Sequence, residues 1–182
     1  MGRLRLIALA LALSLWGLPV AWGEENPNLT VQKKMEIVEL QNRLPLLVLK
    51  AIWVDRIEGY GFYEERARGN RFSPGDRGLL YIEPLNFAQV KEQDGRYRVS
   101  LSVSARVKDK KGVVLSESSS SGDVETKELR VRNPILDLYV GLNVDFSNWP
   151  PGEYVLEVTL RDKIKNQVSS YEVPVEVVEK KS

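Results

Sequence analysis

The side chains that most often perform chemistry in proteins are missing from this chain. Its 182 residues include no histidine and no cysteine. A Ser-His-Asp triad, an imidazole base, a cysteine nucleophile and thiolate metal sites are therefore excluded. The chemistry that remains is that of carboxylates, of a lysine-activated serine, or of calcium bound by oxygen atoms alone.

Glu83 and Asn86 stand out because they interrupt the apolar segment Gly78–Asn86. Burial raises the pKa of a carboxyl group, so Glu83 could act as a general acid. A glycosidase also needs a second carboxylate about 5 to 10 Å away. The spacing selects none of the available partners, which are Glu58, Glu64, Glu65 and Asp76. We predict no catalytic residue. The alternative, structural interpretation is that Glu83 and Asn86 fix a loop by hydrogen bonds.

Two other polar sets carry weaker signals. An oxygen-only calcium site would be expected to contain an Asp-x-Asp-x-Asp-Gly loop, which the chain lacks. We therefore predict no metal and no cofactor, and we interpret three candidate aspartates as surface charges: Asp137, Asp145 and Asp162. Ser102 and Ser104 with Lys108 match no serine–lysine spacing and are interpreted as the solvated face of a strand.

Aromatic residues are concentrated in the first half of the chain. Most of them are expected to fill a core, since aromatic side chains dominate core burial. The set comprises Trp53, Tyr60, Phe62, Tyr63, Phe72, Tyr81 and Phe87. Tyr60 and Tyr63 lie beside glycines and are the two that we expect to be exposed. The candidate binding surface is Tyr60, Phe62, Tyr63, Tyr81, Glu83 and Asn86.

Short strands must position these residues. Apolar and polar residues alternate along Tyr97–Lys108 and Tyr154–Asp162, as in half-buried antiparallel strands. Turn signals recur every eight to twelve residues: Ser73–Asp76, Asp94-Gly95, Asp109–Gly112, Pro150–Gly152 and Lys163–Asn166. Residues 46–182 are therefore predicted to form an all-β, immunoglobulin-like antiparallel β-sandwich of seven or eight strands. An eight-stranded barrel is the alternative.

Three features concern the edges of this sandwich. Pro84 and Pro174 cannot donate to a strand ladder, so each is predicted on an edge strand or where a strand breaks. The segment Val113–Ser116 is apolar and could accept a strand from a partner.

The N-terminal region precedes the sandwich. Apolar residues at helical spacing predict a short helix over Asn28–Leu44, ended by Pro45, with an unstructured leader over residues 24–45 as the alternative. Before it, Arg3 and Arg5, the apolar run Leu6–Leu18 and the small residues around Trp22 form the pattern of a secretory signal peptide over residues 1–23. An uncleaved anchor is the alternative, although the run is shorter than a spanning helix needs.

Export would place the protein in the periplasm or outside the cell, with no transmembrane segment after cleavage. Removing residues 1–23 leaves 24 Lys and Arg against 25 Asp and Glu, so the formal net charge changes from +1 to −1. Nucleic-acid binding is not expected, because it usually requires a strongly basic face. Without cysteine, neither a disulfide nor a lipid-anchoring cysteine is available.

Several stretches resemble known domains. Trp149–Tyr154, which reads Trp-Pro-Pro-Gly-Glu-Tyr, resembles the turn before the second-to-last strand of immunoglobulin-like domains, where a tyrosine packs back on the corner. Three segments resemble uncharacterised exported bacterial proteins with an immunoglobulin-like or fibronectin-III-like β-sandwich: Gly59–Tyr63, Phe72–Gly75 and Leu80–Phe87. This resemblance covers Trp53–Val178, with Pro84 as a departure, and implies a fold but no activity.

Together these observations predict an exported, non-catalytic interaction or structural module. Its expected partner is an envelope protein or a polysaccharide. The alternative is a carbohydrate-active envelope enzyme that uses Asp and Glu carboxylates.

Overall fold

The computed structural model describes residues 27–117 and 125–179. The predicted signal peptide, Met1–Gly23, and the polar stretch Ser118–Asp123 lie outside the described residues. The elements in chain order are α1 (Pro27–Arg43), β1 (Leu47–Gly59), β2 (Phe62–Glu65), β3 (Arg71–Phe72), β4 (Arg77–Leu85), β5 (Val90–Lys91), β6 (Tyr97–Asp109), β7 (Val114–Glu117), β8 (Glu125–Val131), β9 (Val140–Asp145), β10 (Gly152–Asp162) and β11 (Gln167–Val177).

The strands form two sheets packed face to face. The first sheet has the order β2-β1-β4-β9, and the second is built on β3-β11-β10-β6. Strand β6 pairs with β10 along one edge and with both β7 and β8 along its other edge. Strand β5 pairs with the start of β6. All pairs are antiparallel except the two-residue pair of β3 with β11. The predicted all-β, immunoglobulin-like sandwich with a short N-terminal helix is confirmed, and the barrel alternative is wrong.

The prediction of seven or eight strands corresponds to the long ones. Of the eleven strands in the described part of the chain, seven are six residues or longer. The other four contain two or four residues each and extend the sheet edges.

The core lies between the two sheets. Alternate residues of the inner strands point into it, including Leu80 and Ile82 from the first sheet and Val158 and Leu160 from the second. The predicted turn at Trp149–Tyr154 closes one end, where the Tyr154 hydroxyl donates a 2.7 Å hydrogen bond to the carbonyl of Pro150. The tyrosine therefore packs back on the corner as the resemblance implied.

Proline occupies different positions in the two sheets. Pro174 lies on β11, beyond the only two residues that pair with β3, so its assignment to an edge is confirmed. Pro84 lies on β4, which is an inner strand, so the edge-strand alternative is wrong for it, but β4 ends one residue later, at Leu85, close to the predicted break. Strand β9 pairs with β4 only as far as Ile82, and the missing donor of Pro84 therefore costs no ladder bond on that side.

The polar face of β6 is less solvated than its alternation predicts. Ser102 is buried and Ser104 is half-buried, so their interpretation as a solvated face is wrong for Ser102. Strand β6 is an inner strand, and the short side chain of Ser102 lies beside the longer Arg161 of β10. Such a neighbour covers a small residue even on the outer face of a sheet.

The helix packs against the sandwich through its C-terminal half. Its bounds, Pro27–Arg43, agree within one residue with the predicted Asn28–Leu44. Val38 is buried, Gln41 donates to the carbonyl of Leu136, and Asn42 bonds to the backbone of Gln89 in both directions. No helix in residues 27–117 and 125–179 has the length and apolar character needed to cross a bilayer.

Candidate functional site

The candidate site lies on the outer face of the first sheet. Because side chains alternate along β4, Leu80 and Ile82 point into the core while Tyr81 and Glu83 point outward. An outward position on a sheet face is normally solvated. Here Tyr81 is fully buried and Glu83 is only 6% exposed, so another part of the chain must cover them.

The β1–β2 hairpin provides this cover by folding back across the sheet. Its two-residue loop, Tyr60-Gly61, places Gly61 at a φ of +71°, which glycine adopts without strain. The Gly61 amide donates a 2.8 Å hydrogen bond to the Tyr81 hydroxyl. The Ile57 side chain reaches across β4 as far as β9, where glycine at position 141 leaves room for it.

Tyrosine rings form the body of the site. The Tyr63 and Tyr81 ring centroids are 4.5 Å apart, and Tyr81 stacks on Tyr139 at 5.6 Å. Tyr60 lies at the hairpin tip beside them. We call Tyr60, Tyr63, Tyr81 and Tyr139 the tyrosine cluster. Lysine ammonium groups lie over two of its rings, with Lys50 over Tyr63 at 5.5 Å and Lys127 over Tyr139 at 4.5 Å.

Glu83 is the polar centre of the site. Its Oε1 accepts a 2.9 Å hydrogen bond from the Tyr81 hydroxyl and lies 3.8 Å from Nζ of Lys50. Lys50 in turn donates to the Tyr63 hydroxyl at 3.1 Å. Among the described residues, Oε2 of Glu83 has no hydrogen-bond partner. A carboxylate held by two neighbours therefore keeps one acceptor oxygen unused.

The electrostatics of the site keep the Tyr60 and Tyr81 hydroxyl groups protonated. The pKa of Tyr81 is raised to about 12, chiefly by burial and also by the neighbouring Glu83, against the lowering effect of the Gly61 hydrogen bond. The pKa of the Tyr60 hydroxyl is also raised, first by burial and then by Glu83 and Asp137. The hydrogen bond to Tyr63 and the charge of Glu83 raise the pKa of Lys50. At neutral pH the Tyr60 and Tyr81 phenols are therefore neutral, and Lys50 carries its ammonium charge.

A shallow groove of about 370 Å³ continues the site along the hairpin. Phe62 and Tyr63 line it together with the charged residues Arg56, Glu58 and Glu64. Arg56 forms ion pairs with both glutamates, at 3.0 and 3.8 Å. Glu58 and Glu64 are therefore engaged at the surface rather than directed toward Glu83.

The structure separates the predicted site residues into two groups. Tyr60 and Phe62 are exposed, at 38% and 72%, and Tyr63 is half-buried. Tyr81, Glu83 and Asn86 are buried, so their assignment to an exposed surface is wrong. Tyr81 and Glu83 are buried because the hairpin folds over them, and they underlie the exposed residues.

Asn86 belongs to a different part of the molecule. Its Nδ2 donates a 3.0 Å hydrogen bond to the carbonyl of Pro45, and its backbone adopts a φ of +59°. It thereby fixes the junction between the helix and β1, which is the structural interpretation given to it from sequence. The remaining aromatic residues of the first half, Trp53, Phe72 and Phe87, are buried in the core as predicted.

Three residues of the site were not singled out from sequence, Lys50, Lys127 and Tyr139, and Asp137 was considered only for calcium. Lys50 could have been found, because it is the one charged residue in the apolar stretch Leu46–Val54. Tyr139 precedes β9, and Lys127, on β8 of the second sheet, donates to its carbonyl at 2.9 Å. A contact between sheets has no signature in local sequence.

The aspartates considered for calcium do not come together. The described residues contain no group of three carboxylates that could hold a metal ion. Asp145 accepts from the Ser147 amide, and Asp137 is exposed. Asp162 is fully buried and accepts from the amides of Ala88 and Ile164, so its interpretation as a surface charge is wrong.

Comparisons with known proteins give only distant likenesses. No protein-family model and no curated protein matches the chain. Among solved structures, the chain is similar to a family 123 glycoside hydrolase from Clostridium perfringens, with 12% identity, a TM-score of 0.39, and coverage of 61% of this chain and 23% of that one. It is also similar to PapD-like domain 7 of human CEP192, with 14% identity, a TM-score of 0.33, and coverage of 62% of this chain and 83% of that one.

Proposed function

We propose that this protein is an exported, non-catalytic module that binds a cell-envelope polysaccharide at the tyrosine cluster. The observation that carries the proposal is the exposure of two aromatic side chains, Tyr60 and Phe62, on the hairpin that covers the buried Glu83. Aromatic faces and fixed polar groups are the combination that a sugar ring requires.

The exposed rings supply the apolar part of this recognition. Phe62 is the most exposed large hydrophobic side chain in the described residues. The C–H face of a sugar can pack on such a ring and on the neighbouring Tyr60. Because the Gly61–Tyr81 hydrogen bond holds the hairpin against the sheet, the rings are already in place before a ligand arrives.

The polar groups determine the orientation of the bound sugar. Oε2 of Glu83 can accept from a sugar hydroxyl, while the Lys50 ammonium and the Tyr60 and Tyr63 hydroxyls can donate to one. Charges of both signs are present, which suits a neutral sugar better than a strongly anionic one. The predicted signal peptide and the resemblance to exported sandwich proteins support a location in the periplasm or outside the cell.

The test is affinity electrophoresis against a panel of envelope polysaccharides. We expect the double substitution Tyr60→Ala and Phe62→Ala to weaken binding at least tenfold. Tyr171→Ala is the matched control, since Tyr171 is an exposed tyrosine on β11 of the other sheet. Equal retardation of the double variant and the wild type would refute the proposal.

The enzymatic alternative rests on two acidic residues, Glu83 and Asp137, whose charges both raise the pKa of Tyr60. If they catalyse glycoside hydrolysis, the wild-type protein releases reducing ends from the polysaccharide it binds, and Glu83→Gln abolishes the release while binding persists. If the protein only binds, no reducing ends form with either protein.

A protein partner is the second candidate, favoured by the open edge of β7. Val113, Val114 and Leu115 are all exposed there, and no described strand pairs with the outer edge of β7. Such an edge can accept a strand from another protein. We expect Leu115→Lys to remove crosslinking to an envelope protein, and Val168→Lys, at another exposed apolar position, to preserve it. Crosslinking that survives Leu115→Lys would remove this candidate.

A further inference from the structure

Exposed apolar side chains are concentrated at the N-terminal end of the described chain. Of the fourteen large hydrophobic residues that are exposed in residues 27–117 and 125–179, seven lie between Leu29 and Leu49. Leu40 alone is 56% exposed. Contiguous apolar surface on a folded protein marks an interaction site, and three of the seven, Ile37, Leu40 and Leu44, follow one another at helical spacing.

Most side chains of the helix are exposed, and one of the exposed stripes has the spacing of a coiled coil. Positions 30, 33, 37 and 40, with Leu44 directly after the helix end at Arg43, follow the alternating spacing of three and four that defines a coiled-coil seam. All five are exposed, while the helix face that contacts the sandwich carries Val38 and Gln41. We call these five the outer stripe: Thr30, Lys33, Ile37, Leu40 and Leu44.

The first two turns of the helix bury no side chain from Leu29 onward. Every side chain from Leu29 to Lys34 is exposed. Helices of this length depend on tertiary contacts for most of their stability, because their own hydrogen bonds are marginal in water. A second surface that packs on the outer stripe would supply those contacts.

We propose that the outer stripe packs against the outer stripe of a second copy of this chain, with the two helices antiparallel and related by a two-fold axis. In the register that places Ile37 opposite Leu40 of the second copy, Lys33 lies opposite Leu44. The contact between Ile37 and Leu40 then forms twice, once on each side of the two-fold axis, as an isologous interface requires.

Charge complementarity selects this arrangement. Glu36 and Arg43 flank the outer stripe on the same side, seven residues apart. In the antiparallel register, Glu36 of each copy lies beside Arg43 of the other, so both flanking contacts join opposite charges. In a parallel pair in register, Glu36 would instead lie beside Gln41 of the other copy, so the flanks would gain no contact between opposite charges from Glu36 and Arg43.

A membrane surface fits the outer stripe less well. The charged residues of the helix are Lys33, Lys34, Glu36, Glu39 and Arg43, and two intrahelical ion pairs join Lys33 with Glu36 and Arg43 with Glu39. Three positive and two negative charges leave a net charge of only +1, whereas interfacial helices attract anionic lipids through a large excess of lysine and arginine.

The first experiment measures the mass in solution of the protein expressed from its full sequence and purified in the form that accumulates. Light scattering during size-exclusion chromatography is expected to give twice the monomer mass. The double substitution Ile37→Glu and Leu40→Glu should halve it, with the circular dichroism of the strands unchanged. Val168→Glu, at an exposed apolar position far along the chain, is the matched control and should remain dimeric.

The second experiment uses the natural absence of cysteine to establish direction. Lys33→Cys and Leu44→Cys chains are mixed and oxidised mildly. Antiparallel pairing predicts a mixed disulfide, identified by intact mass, and little disulfide in either chain alone. A monomeric mass at about 100 μM, or crosslinking of Lys33→Cys to itself, would overturn the proposal. Sedimentation of a monomeric protein with anionic vesicles, lost in the double Glu variant, would assign the stripe to a membrane instead.

Discussion

The Tyr81 hydroxyl joins the hairpin to β4 through two hydrogen bonds. It accepts from the amide of Gly61 on the hairpin and donates to Glu83 on its own strand. Tyr81 is fully buried, and in such a position a lost partner leaves an unsatisfied polar group. The position of the hairpin, and therefore of the exposed Tyr60 and Phe62, depends on this one atom.

Removing the Tyr81 hydroxyl should destabilise the site while the ring of residue 81 stays in place. We expect Tyr81→Phe to lower the free energy of unfolding by about 1 to 3 kcal/mol, because the Gly61 amide and Glu83 lose a buried partner while the ring stays packed. Urea unfolding followed by fluorescence measures this change. Tyr171→Phe, at an exposed ring, should change stability by less than about 0.5 kcal/mol. Equal stability of Tyr81→Phe and wild type would contradict the role assigned to the hydroxyl.

The same hydroxyl should make stability depend on alkaline pH. Its pKa is about 12 in the folded protein and 10.0 in a free tyrosine. Between these values the unfolded chain loses the proton first, so the stabilisation present below pH 10 is lost as the pH rises toward 12. The wild type should therefore lose roughly 2 kcal/mol more than Tyr81→Phe between pH 9.5 and pH 12. Parallel curves for the two proteins would show that Tyr81 ionises as freely as in the unfolded chain.

Strand alternation in the sequence predicts which side chains share a face of the sheet, but not which of them another segment covers. The alternation along β4 separates Leu80 and Ile82 from Tyr81 and Glu83. It does not reveal that the hairpin folds back and buries the second pair, because that cover comes from Gly61 and Tyr63, about twenty residues earlier. Asp162 was misplaced for the same reason, since its partner Ala88 lies 74 positions away.

At the scale of elements, one lysine joins the end of the helix to two other parts of the sandwich. Nζ of Lys165, in the β10–β11 turn, donates to the carbonyl of Leu44 at 2.7 Å, to that of Gln41 at 3.3 Å, and to that of Asn86. The last carbonyls of a helix have no partner within it, so this lysine satisfies groups at the end of α1 and beyond it. It holds the helix end, the β4–β5 connection and the last hairpin together.

Replacing this lysine should release the helix while leaving the sheets intact. We expect Lys165→Met, which keeps the length of the side chain but removes the donors, to raise amide hydrogen exchange in the last turn of α1 by about tenfold or more. Exchange in β6 and β10 should change far less. Lys111→Met, in the exposed β6–β7 turn, is the control. Uniform acceleration across the whole molecule would mean that the helix and the sheets unfold together.

For the helix, the sequence predicts the bounds but not the face that packs on the sandwich. Periodicity predicts its bounds within one residue, because Asn28 and Pro45 delimit the pattern. The pattern contains two apolar stripes, and periodicity does not indicate which one packs on the sandwich. The buried choice, around Val38, depends on polar contacts of Gln41 and Asn42 with distant backbone groups.

At the scale of the whole molecule, three aromatic rings join the two sheets at one end. Trp53 of β1, Phe72 of β3 and Phe146 after β9 pack together, with ring centroids 4.1 to 5.8 Å apart. The indole Nε1 of Trp53 also lies 3.5 Å from the carbonyl of Pro174 on β11. Sheet closure at this end therefore depends on how closely the rings can approach β4.

Gly78 sets that approach, and a single methyl group there should weaken the whole fold. A Cβ at this position would lie 2.8 Å from Trp53 and 2.9 Å from both Phe72 and Phe146, closer than carbon atoms pack. We expect Gly78→Ala to lower the free energy of unfolding by about 1 to 3 kcal/mol, the usual cost of overpacking a core. Because the rings belong to both sheets, tryptophan fluorescence and far-ultraviolet circular dichroism should shift to the same lower urea midpoint. Gly59→Ala is the matched control, since nothing lies within 4 Å of its Cβ. Two separate midpoints in the Gly78 variant would show that the sheets are stable without this contact, and an unchanged midpoint would show that the rings move aside at no cost.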